Sequence, residues 1–592
     1  MADTAKEKIF LAQLCTRDMD EYRRYAELAG RLRKHGRVLV NVDTLAEPTP
    51  YKLPSGGSAW HQYLSHLPGL TKFFPHPALQ PHLPMEHVER NRDLLAAQVA
   101  VLEELGLGAS FSGPEPAFWP ESFFRERPDL RGPRVDHPRR STKEEFSPCT
   151  DLDEVQEMYR WMVAELRRNV PMLGSFGFRA NDVGSGLCWC SALYSGMRGP
   201  AHCRDIDPGV RVARFVEVLH EGAEQGGGPV RVSFNGNFYN NEVYSIVPKL
   251  GENSFLAGWK SDTVGLYGIM ASPMRGLLQP LGIIASTARF DDPSVGAFSV
   301  SFAPDYRRGM ERFETAERVV DLIESSIESP ARTLRERLDA LHGLCEAWAG
   351  ANQADGLFEA FLAFEEAVKL KNAAFPRGCA NTCGVTMRHV TRPLVIRPEL
   401  LTPEEESYFL PHVFNISQHE ARMDYMDMHG GRREINPVLR TAAARLVGAA
   451  RRFESVAGAP DQELVTQMAG SLRTWALMLR STCNFAEAQK IRDRNSEALA
   501  GGERTPEKQG SREGDADYLP WNSILRDELD NTAELLALVE KTGGDLVMTA
   551  ERADLEDMFV LGPDLAGALR TKMGIMRDHW RDVEKHIAPP LK

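Results

Sequence analysis

Short apolar runs alternate with helical periods through the first half of the chain. Ile9 to Cys15 is an apolar run too short for a core helix. From about Asp18 to His35, Met19, Tyr22, Tyr25, Leu28 and Leu32 then keep helical spacing. Gly36 follows, the usual residue just past a helix C-terminus. Val38 to Asp43 predicts a second buried strand. Met85 to Leu105 predicts a second helix, with Val88, Leu95, Val99 and Leu102 on one face. Leu107 to Phe111 reads as strand three, about Val155 to Val170 as a helix, and Phe176 to Ala180 as strand four. A helix carrying Val212, Phe215, Val216 and Leu219 leads to strand five at Val230 to Phe234. The runs Val264 to Met270, Leu281 to Ala285 and Ala297 to Phe302 supply the remaining strands.

Repeated strand–helix units imply a parallel sheet. Eight of them in roughly 300 residues fit a TIM-like (β/α)8 barrel better than an open doubly wound sheet. No Gly-rich phosphate fingerprint follows the first strand, which argues against dinucleotide binding. From about Glu311 the period becomes 3.6 and stays there. In the last helix Leu565, Leu569, Met573, Met576, Trp580, Val583 and Ile587 form a core stripe. The expected organisation is an α/β barrel over 1–310 and a mostly α-helical domain over 311–592. An irregular insert at about 375–433, with a strand-like Pro393 to Ile396, interrupts that domain. A polar, Gly-rich loop at about 501–517, read as mobile, interrupts it again. Arg388, His389, Arg392, His412, Asp424, Tyr425, Asp427 and His429 of the insert either fold over the barrel mouth or make an interdomain or oligomer contact.

A length of 592 residues exceeds what one core usually supports. The net charge of −13 is spread along the chain, which argues against a nucleic-acid surface, since that needs a clustered basic footprint; the short cluster Arg131, Arg134, Arg139 and Arg140 suits salt bridges or an anionic small ligand. Met1 to Lys8 has no apolar leader core, and no stretch approaches a membrane span. Nine cysteines, an odd set without small-domain spacing, suggest free thiols and a cytoplasmic location; a secreted or periplasmic one requires a removed leader. A homo-oligomer is compatible with all of this.

In a parallel barrel the active site is built at the C-terminal ends of the strands. Strand three runs into Ser112 to Trp119, strand four into Arg179 to Cys190, and strand five into Asn235 to Glu242. Later strand ends bring Asp262, Asp291, Asp292 and Asp305. Asp182, beside an amide and followed by Gly184 and Gly186, suits a sugar site as a proton donor; the alternative is an Asx-turn. Glu115, set between two prolines, and Glu242 compete for the second carboxyl that glycoside hydrolysis needs. Arg179, Asn181, Asn235 and Asn237 offer groups for hydroxyl recognition. Trp119, Trp189, Tyr194 and Tyr239 either stack on sugar rings or pack. His137 and Arg139, with Arg140, either bind a substrate carboxylate or sulfate or solvate the surface. Cys188 and Cys190 with His202 and Cys203 are close in sequence but lack the usual zinc-ligand spacing, and Cys379 with Cys383 is an isolated pair. No cofactor is expected.

The segment Phe178-Arg179-Ala180-Asn181-Asp182-Val183-Gly184-Ser185-Gly186-Leu187-Cys188-Trp189 resembles the acidic strand-four loop of the β-hexosaminidase and α-glucuronidase-like glycoside hydrolases. Those families place a helical domain after a (β/α)8 barrel, the order read here. In the β-hexosaminidase-like families an acidic pair ends strand four and its second member is the general acid. The resemblance therefore implies Asp182 as general acid. Asn181 stands where the family has the carboxylate that orients an acetamido group, a departure that weakens a substrate-assisted mechanism. The resulting expectation is a glycoside hydrolase acting on a carbohydrate. A non-catalytic carbohydrate-binding barrel and a metal-dependent barrel lyase or isomerase are the alternatives.

Overall fold

The computed structural model describes residues 7–47, 68–136, 144–182, 184–193, 196–268, 274–303, 309–374, 389–397, 400–407, 432–500, 518–550 and 561–587. The chain forms two compact units. One comprises 1–268 with 283–330, and the other 269–282 with 331–592. The 501–517 loop and most of the 375–433 insert, His412, Asp424, Tyr425, Asp427, His429 and Arg388 included, lie outside the described residues.

The first unit is built on an eight-stranded parallel sheet. In chain order its strands are β1 (Ile9–Gln13), β2 (Arg37–Asn41), β3 (Gly108–Pro114), β6 (Leu173–Ala180), β7 (Arg231–Gly236), β8 (Ser254–Leu256), β9 (Thr263–Tyr267) and β10 (Ala297–Ser301). Strands β4 (Arg131–Arg134) and β5 (Phe146–Pro148) make a separate antiparallel ribbon. In space the order is β8-β7-β6-β3-β2-β1-β10-β9. Strand β10 pairs with β1, Ile9 opposite Ala297 through Gln13 opposite Ser301. The sheet therefore curls round in barrel order and is open at one seam, between β8 and β9. The cause lies in the chain length. Only residues 257–262 separate these two strands, and a parallel neighbour needs a crossover of about a dozen residues or more.

Two element assignments differ from the sequence reading. Leu281 to Ala285 is not a strand but part of the helix Pro280–Thr287. The eighth strand is instead Ser254–Leu256, whose three residues give too short a period to see. Elsewhere in the sheet the strand patterns translate directly. The helix Met85–Leu105 ends at Gly106, whose φ of 63° places it in the left-handed region that a C-terminal glycine adopts without strain.

The second unit is helical in its described residues. Leu334–Ala349, Ala354–Ala374, Arg432–Ser455, Gln462–Ala500 and Tyr518–Thr542 are its longest elements. Pro393 to Ile396 forms no strand; Leu394 and Ile396 are apolar because they plug a core with Phe485, Trp521 and Met576. The last stripe is broken into Leu565–Asp578 and Asp582–Ile587. His579, bonded to Asp582 at 2.7 Å and Glu405 at 3.0 Å, occupies the break. Trp580 is consequently 46% exposed rather than core. No helix among the described residues is long and apolar enough to cross a membrane.

A buried ion pair organises this unit. Lys572 and Glu528 are both wholly inaccessible. The Lys572 ammonium donates to Glu528 and to the carbonyls of His389 and Val390, the latter two each at 3.0 Å. Glu528 also accepts from Ser481 at 2.6 Å and from Asn484 at 2.8 Å. Removing one partner leaves an uncompensated buried charge, at a cost of about 3–5 kcal/mol. Lys572→Met is thus expected to lower this unit's calorimetric transition strongly, and adding Glu528→Leu should restore much of the loss. An unshifted transition in the single variant would count against the pairing.

Candidate active site

The two faces of the curled sheet have opposite chemistry. On one, Phe111 stacks on its register partner Phe176, and Phe178 on Phe234 at 4.9 Å and 4°. Phe178 also meets Phe215 of the covering helix Pro208–Gly226, so this face looks outward to the helices. Alternation sends the intervening residues to the concave side. These are Ser112, Gly177, Arg179, Ser233 and Asn235 on β3, β6 and β7, and Ser299 and Ser301 on β10. Ser301 donates to its register partner Gln13 at 3.4 Å across that face. Parallel barrels usually fill this side with branched aliphatic side chains. Here Ser112 and Asn235 are exposed and the lining of β3, β6, β7 and β10 is largely polar, with Ile9 and Leu11 on β1. Near the strand starts Leu39 closes the inside, lying against Gly108 and Gly174, where a Cβ would sit 2.3 and 3.0 Å from its methyl groups.

At the C-terminal end of β6, Asn181 takes a left-handed conformation, φ 57°, one that Asn tolerates better than most residues. Its side-chain oxygen accepts from Leu187 N at 3.0 Å, and its carbonyl from Asn237 Nδ2 at 3.2 Å. Asp182 and Ser185 exchange backbone hydrogen bonds at 3.1 and 3.0 Å, which turns the chain back at once. The Asp182 carboxylate, about one-tenth exposed, forms an ion pair with Arg179, whose side chain is 39% exposed. Gly236 allows β7 to stay beside this loop, since a Cβ there would meet the Ala180 carbonyl at 2.3 Å. Arg179, Asn181, Asp182, Asn235 and Asn237 therefore meet at one end of the polar concave face.

The other expected acids do different work. Glu115 is 1% exposed. It accepts from Leu70 N at 2.8 Å, Ala117 N at 3.0 Å and Tyr159 Oη at 3.0 Å, so it staples three segments, while Arg131 and Arg134 pair with other acids. Burial pushes its carboxyl up to about 7, against those three donors. Glu242 is 2% exposed and caps the helix Asn240–Ile246, accepting from Tyr239 N at 2.8 Å and Ser191 N at 2.5 Å. Both carboxylates have their oxygens turned to backbone donors, not to the concave face. Trp119 is fully buried between Phe124 and Tyr159 and is core, not a sugar platform. Trp189, φ 56°, donates to the Pro200 carbonyl at 2.8 Å. Asp262 precedes β9 and pairs with Arg231 at the start of β7, and Asp291 and Asp292 precede β10, so all three stand at the opposite end. His137, Arg139, Tyr194 and Asp305 lie outside the described residues.

Three residues that the sequence did not single out stand at the same end as Asp182. Asp43 follows β2 and accepts from Ser112 N at 3.3 Å. Tyr244 and Trp259, 64% and 48% exposed, form an edge-on pair with Tyr239 nearby in sequence. Nothing in spacing marks that pair, because the two rings come from the segments after different strands.

No family model matches the chain, and no curated protein is significantly similar to it. Solved structures do resemble it in fold. A GH138 enzyme targeting pectin rhamnogalacturonan II has a TM-score of 0.50 at 8% identity, over 100% of this chain and 69% of that one. The pneumococcal virulence factor StrH, studied for N-glycan recognition and hydrolysis, has a TM-score of 0.32 at 11% identity, over 62% of this chain and 91% of its own. The GH36 α-galactosidase AgaA of Geobacillus stearothermophilus has 0.31 at 9%, over 55% of this chain and 42% of its own. These neighbours are glycoside hydrolases, and the likeness is one of fold.

Glu115 gives a pH signature. The folded state keeps its proton up to about pH 7, whereas an unburied carboxyl releases it near 4.5. Its contribution to stability is therefore complete below the unfolded value and is lost as pH rises through the folded one. The wild type should lose more melting temperature than Glu115→Gln between about pH 5 and about pH 8. Parallel melting curves for the two proteins would contradict this assignment.

Proposed function

We propose that this protein is a glycoside hydrolase whose site is the polar concave face ending at Arg179 and Asp182. The observation that supports it is the joining of two features. A barrel-order sheet leaves its inner face wet and lined with hydroxyls and amides, and a carboxylate–guanidinium pair stands at its C-terminal rim. Sugars are bound through many hydroxyl contacts, which serine and asparagine supply. Asp182 is the general acid, as the strand-four resemblance implies, and protonates the leaving oxygen. A carboxylate engaged in an ion pair has no proton to give. Arg179 must therefore pass to a group on the substrate, and a uronate carboxylate fits a guanidinium best. That makes an acidic oligosaccharide the preferred substrate class. The rhamnogalacturonan II named for the GH138 neighbour places pectic oligosaccharides first in a test panel. Asp43 is the second carboxyl in this reading: backbone donors hold both oxygens of Glu115 and of Glu242, whereas the Ser112 amide engages Oδ1 of Asp43.

The locked Glu115 and Glu242 also favour one competing reading, a barrel that binds sugar without cleaving it. The two separate on a panel of aryl glycosides and pectic oligosaccharides. Asp182→Asn is expected to reduce turnover by about 10²-fold or more while the dissociation constant of an oligosaccharide stays within a few-fold. Full activity in Asp182→Asn would sink the assignment. Binding without turnover in the wild type would establish the non-catalytic reading.

The Tyr244–Trp259 pair supplies a stacking surface at the same end. A ring-on-sugar contact worth about 0.5–1.5 kcal/mol predicts that Trp259→Ala raises KM about 2- to 10-fold with kcat unchanged. An equal fall in kcat with KM constant would place Trp259 elsewhere in the mechanism.

A further inference from the structure

The loop that carries Asp182 continues into a cluster of sulfur ligands. Cys149, just after β5, Cys188, and Cys203 in the turn Ala201–Cys203 are all buried and pack together. Together with Asp151 they bring one ligand atom each to within 4.8 Å of one another. Proximity in sequence groups Cys188 with Cys190, His202 and Cys203; folding replaces Cys190 by Cys149, from the other side of the strand. We propose that Cys149, Cys188, Cys203 and Asp151 are the four ligands of a structural zinc ion.

Geometry, polarity and charge agree on this. Tetrahedral zinc with bonds of about 2.3 Å to sulfur separates two thiolates by about 3.8 Å. The Cys149 and Cys203 sulfurs are 3.8 Å apart. The Asp151 side chain is 4% exposed, and its Oδ2 has no hydrogen-bond partner. A buried carboxylate oxygen left without a donor costs free energy that a cation beside it would recover. Three thiolates and a carboxylate around a divalent ion leave two negative charges. The Arg211 guanidinium, 3% exposed, stands 3.6 Å from Asp151 and offsets one of them. It also donates to the Cys188 carbonyl, fixing the ligand loop. His202 Nε2, 3.3 Å from the Cys149 sulfur, is placed to donate to the bound thiolate. Soft sulfur with one carboxylate selects zinc over magnesium or calcium. Four protein ligands leave no open position, so the ion holds the loop and takes no part in the reaction. Binding releases the three thiol protons to solvent.

The proposal stands independently of the glycosidase reading, because its readout is metal and not turnover. The full-length protein, produced with zinc in the medium and exchanged into metal-free buffer, should carry one zinc per chain by elemental analysis. Cys149→Ser, Cys188→Ser and Cys203→Ser should each lose it, and Asp151→Asn should release it faster to a chelating dye. Cys190→Ser should keep it. Where a serine variant does not fold, the wild type still decides the question. Cobalt added after zinc removal should give the intense visible bands of a tetrahedral ion and sulfur-to-cobalt charge transfer in the near ultraviolet. A wild type that holds no zinc, takes up no cobalt and shows all of its thiols free, or two of these cysteines as a disulfide, would overturn the proposal.

Discussion

A curled parallel sheet has two faces, and the helices that connect its strands can pack only the outer one. What fills the inner face decides whether the structure is a sealed barrel or an open one. Here the outer face carries Phe111, Phe176, Phe178 and Phe234 in register, each a large apolar area against the helical layer. The inner face carries mostly serine, glycine and polar side chains at the alternate positions, with Ile9 and Leu11 on β1. Side chains that small cannot close a core across the diameter of eight strands. Leu39 closes the strand starts, and the rest stays accessible. The open seam follows the same logic. The short link at 257–262 forbids a crossover between β8 and β9, so these two strands are the ends of the sheet among the described residues.

This arrangement gathers polar side chains at the strand ends. A wet inner face funnels polar groups to one rim, and the rim residues must be held by their own loops. Asn181 is held by its left-handed backbone and its bond to Leu187, and Asn237 by its bond to the Asn181 carbonyl. Glu115 and Glu242 belong to this holding work. Each carboxylate gathers backbone amides from segments far apart in sequence, and so fixes the loops on either side of Asp182.

The legibility of these features in the sequence follows from their range. Periods within one element could be read, as in the helix Met85–Leu105 with Gly106 at its end and in the apolar runs of β1, β2, β6 and β10. Leu281 to Ala285 could not, because a short apolar run has no period to separate strand from helix. At the site, the place of Asp182 was legible as the residue following a strand. The fate of Glu115 was not, since its donors are Leu70 and Tyr159, 45 and 44 positions away. Glu242 sits three residues after Tyr239, the spacing of a helix-capping glutamate, and that spacing was available as a signal. Cys149 lies 54 positions from Cys203, across β6, so no local cysteine spacing reveals the cluster.

The sulfur cluster and the rim answer to one energetic requirement. Ordering backbone costs about 1–2 kcal/mol per residue, and the described residues from Asn181 to Cys203 contain no α-helix or strand to recover it. Their hydrogen bonds tie the segment at separate points, at Leu187, Ser191 and Trp189. A closed zinc site, worth on the order of 10–16 kcal/mol in small metal-folded domains, would offset part of that cost. Cys188 joins the cluster to the rim, since it lies one residue past the Leu187 amide that holds Asn181. A metal at the cluster would therefore hold the segment next to the turn that carries Asp182. Without a metal that order has to come from these hydrogen bonds and from packing. The apolar side chains buried along the described part of this loop are those of Leu187, Leu193 and three cysteines, too few to supply it.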